Sequence, residues 1–204
     1  MRAVFTTLLV ALLLSLPTAH AQQGFKPFVF PQRLEPGTKY YPAELAETGA
    51  QGSTVIKVTR DPDHYLVDPV VVTSSKSKVL DDLALRYVRD SKLRASEDGD
   101  PEVELHVSVN FARDTEITLE QKTCAQFNTD LAFTRGNDPR SDAGRVHAYM
   151  LGTGLMMFGP GATYERTSMI SLNLRILAHL IEEKCAASPE AKFFETLKGF
   201  IPQE

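Results

Sequence analysis

The chain has 204 residues, with 22 Lys+Arg against 26 Asp+Glu and a net charge of −4. Arg2 is the only Lys, Arg, Asp or Glu among the first 21 residues, so a chain cut after Ala21 carries −5. That balance excludes a general nucleic-acid binder, which needs a basic patch to neutralise phosphates. With 43% hydrophobic and 24% charged residues the composition is globular rather than disordered. Two cysteines and, past residue 21, four histidines are too few for a rich metal site.

Residues 1–21 read as a signal peptide. Arg2 supplies a positive start, Val4 to Leu16 is apolar apart from Thr6, Thr7 and Ser15, and Ala19-His20-Ala21 is a small-x-small cleavage site before Gln22. The apolar run is too short to span a hydrocarbon core of ~30 Å as a helix. No later stretch approaches the length of a membrane span. The mature chain is therefore expected in the periplasm, with no stable span.

Residues 22–39 hold Gly24, Pro27, Pro31, Pro36 and Gly37 and show no helical or strand period, which predicts a linker or extended arm. Phe25, Phe28 and Phe30 make it adhesive, so that it packs on the domain's own surface or serves as an exposed ligand segment.

Residues 40–112 predict an α+β unit. Pro42 to Glu47 is a short helical turn closed by Gly49. Ser53 to Arg60 is β-branched, Asp61-Pro62-Asp63 is a turn, and Tyr65 to Thr73 completes a hairpin, with Pro69 marking an irregularity. Lys78 to Lys92 is helical, with Leu80, Leu83, Ala84, Tyr87 and Val88 on one face. After an acidic turn at Ser96–Pro101, Val103, Leu105, Val107, Val109 and Phe111 alternate with Glu102, Glu104, His106, Ser108 and Asn110. Strict period two predicts a closing strand with one buried and one wet face.

The set Tyr41-Pro42, Gly52-Ser53-Thr54-Val55, Val70-Val71-Val72-Thr73-Ser74-Ser75, Leu80-Asp81-Asp82-Leu83-Ala84-Leu85 and Val103-Glu104-Leu105-His106-Val107, in that order, resembles the C-terminal domain of TonB-type energy transducers. In that family the domain caps a Pro-rich periplasmic spacer on an inner-membrane anchor. It lends a sheet edge to the box peptide of outer-membrane receptors. This chain departs from the pattern in its cleavable leader, its lack of a long spacer and the roughly ninety residues after the closing strand. Without an anchor, transmission of inner-membrane work is not expected.

Residues 113–204 predict a helical module. Cys124, Phe127 and Leu131 share a helix face. Asp142 to Phe158 reads as a second helix, in which Gly152 and Gly154 weaken it or admit a close neighbour. Thr167 to Ala187 is a third, with Ile170, Leu174, Leu177, Ile181 and Cys185 in a stripe, and Ser188-Pro189-Glu190 opens a fourth through Lys198. Two cysteines on apolar faces in an oxidising compartment predict a Cys124–Cys185 disulfide, the alternative being two buried thiols. Loop entropy assigns it ~4 kcal/mol. The pattern Thr123-Cys124-Ala125-Gln126-Phe127, a Gly-containing middle helix and Lys184-Cys185-Ala186-Ala187-Ser188-Pro189 is similar to HdeA-like periplasmic helical proteins and to related immunity-type proteins. In the acid-chaperone members low pH loosens the fold and exposes apolar sites.

No G-x-S-x-G, H-E-x-x-H or P-loop string occurs, and the histidines are scattered over separate elements. The expectation is a non-enzymatic protein without metal or cofactor. An open sheet leaves unpaired backbone groups to which an extended peptide can add. The last strand is nominated, with Glu102, Glu104, His106, Ser108 and Asn110, for a protein partner in the envelope, either an outer-membrane receptor or an envelope client. In the competing reading that edge is covered by the helical half, by the Phe-rich arm or by a second copy in a homodimer.

Overall fold

The computed structural model describes residues 28–95 and 104–201. The signal peptide, Phe25, the acidic turn and Glu102 lie outside the described residues.

Four strands form one sheet: β1 (Phe28–Leu34), β2 (Gly52–Arg60), β3 (Leu66–Thr73) and β4 (Leu105–Phe111), in the spatial order β1-β4-β2-β3. β2 pairs antiparallel with both β3 and β4. The β2–β3 turn is held by the Asp61 carboxylate, which accepts from the N–H groups of Asp63 (3.0 Å) and Tyr65 (2.8 Å). Pro69 sits where the β2–β3 register shifts and beside Asp68, whose φ is +51°. An edge strand tolerates both.

Helices α1 (Ala43–Glu47) and α2 (Lys78–Asp90) join the sheet in one core. Leu80, Ala84 and Val88 of α2 meet Ile56, Val58, Val107, Val109 and Phe111. The residues that carried the family resemblance hold this unit together. Tyr41 is fully buried, its ring stands edge-on to Phe111, and its hydroxyl donates to the Ala50 carbonyl. Burial pushes the phenol up to about 12, which keeps it a donor. Pro42 caps the start of α1. Asp81 accepts from Ser74 Oγ (2.6 Å), Thr54 Oγ1 (2.7 Å), Ser75 Oγ (2.8 Å) and Ser75 N–H (2.9 Å), pinning β2 and the end of β3 to the first turn of α2. Burial alone would raise the Asp81 carboxyl, but these donors outweigh it and hold the group below its ordinary range. The clamp therefore contributes above the unfolded carboxyl's pKa of about 3.9 and fades as pH falls below it.

The helical half comprises α3 (Glu116–Gln121), α4 (Cys124–Asn137), a 3-10 turn at Ala143–Arg145, α5 (His147–Phe158), α6 (Tyr164–Ala187) and α7 (Phe193–Lys198). The predicted second helix is broken at Val146, whose backbone is extended. The fourth begins later than expected because the carbonyls of Pro189 and Ala191 accept from the N–H groups of Ala125 and Cys124. Residues 189–191 thus satisfy orphan donors of α4 instead of coiling. Gly152 admits a close neighbour as expected, since an added Cβ would stand 2.9 Å from Leu197 Cδ2, whereas Gly154 faces open space. Ile170, Leu177, Ile181 and Cys185 are buried; Leu174 is on the rim.

Cys124 and Cys185 are bonded across 61 residues and lie in the core with Phe127 and the stacked Phe193. A helical unit this small has little apolar area to spare. Replacing both cysteines by alanine is expected to lower stability by about 2–4 kcal/mol, read from chemical denaturation. Loss of the helical signal ahead of the strand signal would place the effect in this half.

Candidate interaction site

β4 is not an edge. Antiparallel β2 flanks one side, and β1 flanks the other in parallel, matching Val29 to Val107, Gln32 to Val109 and Leu34 to Phe111. In this closed sheet β4 is therefore covered on both sides, as in the competing reading in which the Phe-rich arm occupies the edge, and the arm of residues 22–39 is in part a strand. Period analysis missed β1 because Pro31 interrupts it, and the register slips between Val29 and Gln32. Its C-terminal half is well anchored. Tyr87 donates to Gln32 Oε1 (2.9 Å), Arg33 donates to the Asp114 carbonyl (2.8 Å), and Leu34 is buried in the core.

The nominated residues serve the sheet itself. Glu104 precedes β4, and its Oε1 lies 3.2 Å from His106 Nε2. His106 is buried rather than wet, on a strand flanked by β1 and β2. Asn110 Oδ1 accepts from Ser53 Oγ (2.6 Å) and Ser108 Oγ (3.3 Å). Val107 is fully buried in an interior strand.

The sheet's rims are the outer sides of β1 and β3. Leu66 N–H donates to Leu93 O (2.8 Å) and Ala95 N–H to His64 O (2.9 Å), which covers the start of β3. Further along, Val70 and Val72 are 53% and 48% exposed, and among the described residues this stretch pairs only with β2.

A buried charge cluster joins the halves just past β4. Lys122 Nζ lies 2.8 Å from Asp114 Oδ1 and 2.6 Å from Asp130 Oδ2. Arg113 pairs with Asp130 Oδ1 and donates to the Ala46 carbonyl (3.0 Å) in α1. Gly49 (φ +80°) packs so tightly here that a Cβ would stand 2.8 Å from Asp130 Cα. Burial raises the Asp130 carboxyl, opposed by Lys122 and Arg113. Burial likewise lowers the neighbouring His147 imidazole, opposed by Asp114. Nothing in the sequence periodicity announced this cluster, because its members fall on the linker after β4, on the junction between α3 and α4, and on α4. Among the described residues no three His, Cys, Asp or Glu gather to hold a metal, and no helix is long and apolar enough to cross a membrane.

Residues 38–112 match the family model described as Gram-negative bacterial TonB protein C-terminal. No curated protein and no solved structure gives a significant match. The matched segment begins after β1 and ends before the charge cluster, so both of those features lie outside it.

Lys122→Met leaves Asp114 and Asp130 buried without their shared cation. The expected cost is about 3–5 kcal/mol in denaturation, far above that of an exposed lysine such as Lys78.

Proposed function

We propose that the protein is a non-catalytic, periplasmic protein-binding accessory that takes an extended segment of a partner along β4, in exchange for its own β1. One observation carries this reading: the TonB-type segment is by itself a three-stranded sheet with β4 at its rim, and the strand that fills the rim comes from outside that segment. The rim accepts an extended chain in parallel register, with main-chain pairing for affinity and alternate side chains for selectivity. β1 is tethered to the unit by a short link through Glu35-Pro36-Gly37. Such a tether gives an effective concentration on the order of millimolar. A partner therefore succeeds only by pairing better than β1 does. Exchange of β1 between two copies by the same pairing would give a homodimer.

The test is a chain beginning at Glu35, offered the synthetic peptide Phe28–Leu34 and, separately, a cell-envelope extract. The shortened chain is expected to bind the peptide, to regain thermal stability on doing so, and to capture envelope proteins that the peptide then displaces. Failure to bind the peptide while folded, or capture indifferent to it, removes the exchange mechanism.

A second reading is supported by the helical half, where Phe158, Leu172 and Ile176 present exposed apolar side chains. As an acid chaperone the protein would bind an apolar dye and suppress client aggregation at about pH 2–4. Absence of both responses across that range discards this reading.

A further inference from the structure

Between the sheet and the helical half lies a cleft of about 630 Å³, within the size range of small-ligand sites and at the kind of junction where they form. Its lining is cationic, although the chain as a whole is acidic. Arg33 enters from β1, Lys76 from the turn between β3 and α2, and Arg145 from the 3-10 turn before α5. Asp138 is the only carboxylate among the lining residues. Among the described residues neither Lys76 nor Arg145 has a carboxylate within ion-pair distance.

Two further features face the same space. α5 starts there without a side-chain cap and without an acidic residue in its first turn, so its positive end is not neutralised by its own sequence. Gln51 also lines the cleft, is only 8% exposed, and has no hydrogen-bond partner for either its amide nitrogen or its amide oxygen. Leaving such an amide unpaired costs stability unless something completes it. His147 adds a buried, unpaired Nδ1. Lys76 is held at φ +72°, and its N–H donates to Ser74 Oγ, so the Asp81 clamp fixes the turn that carries this ammonium.

We propose that the interdomain cleft is a binding site for a small polyanion bearing phosphate or carboxylate groups, its charges met by Lys76, Arg145, Arg33 and the start of α5, and its polar body by Gln51. The cleft meets the β1–β4 seam at Arg33 and Asn110, but binding there does not require that β1 be exchanged.

The experiment is calorimetric titration of the purified protein with pyrophosphate and, separately, with citrate, at matched ionic strength. Expected is saturable one-to-one binding of at least one probe, with a Kd of about 1 mM or tighter. Binding of pyrophosphate alone identifies a phosphate ligand, and of citrate alone a carboxylate ligand. The Arg145→Ala, Lys76→Gly pair should weaken binding by about tenfold or more. Both positions are exposed, and glycine accepts the left-handed backbone at 76, so the fold is retained. Gln51→Leu should raise the melting temperature, by removing an unpaired buried amide, while weakening the same probe. No saturable binding of either probe up to about 10 mM, or undiminished binding by the folded double variant, overturns the proposal.

Discussion

The constraint on which the rest depends is the buried charge cluster that follows β4. Lys122 and Arg113 neutralise Asp114 and Asp130 where water is nearly excluded. A buried pair of this kind is weak as a source of net stability, yet breaking one member is costly because the other charges are left uncompensated. Its value is positional. Arg113 reaches the last turn of α1, and the Asp114 carbonyl receives Arg33 from β1. Two residues of one linker, Arg113 and Asp114, therefore tie the helical half, the short helix and the N-terminal strand to one another.

The same geometry explains how the chain manages its strand edges. An open β4 would present a row of unpaired backbone groups beside Val107 and Val109, a template for pairing with another chain. β1 covers it with a segment whose proline spoils regular pairing in its middle. At the opposite rim β3 carries Pro69 and a left-handed Asp68, which bend that edge and discourage flat pairing. The two rims are thus protected by different devices, one of them a strand supplied from outside the TonB-type segment and the other built into the strand itself. This asymmetry supports exchange at β4 over addition at β3.

Most of the α+β unit was legible in the sequence because hairpin turn chemistry, period-two alternation and an amphipathic helix all pointed one way. The disulfide was legible from two cysteines on apolar helix faces in one module. β1 was not, since a strand that pairs on one side at a rim needs no alternation and Pro31 looked like a breaker. His106 was assigned to the wet face because period two counts faces of a strand and not the neighbours that flank it. The late start of α7 was hidden for a tertiary reason: its leading residues are spent on the N–H groups of α4. The cleft was invisible for the most basic reason, that Arg33, Gln51, Lys76 and Arg145 are far apart in the chain and meet only when the two halves are docked.

Arg33 belongs at once to β1 and to the cleft. Linkage then sets the sign of any coupling between them. An anion that draws on Arg33 binds best while β1 is seated, so it favours the closed sheet. A partner that displaces β1 withdraws Arg33 and weakens the anion by the same free energy. The reciprocity needs no long-range pathway, because a single guanidinium is shared. The size of the effect is bounded by that one contact, a charge-assisted hydrogen bond at a partly exposed site. Under the proposed exchange, coupling of this kind would tune the exposure of β4 without being able to lock it.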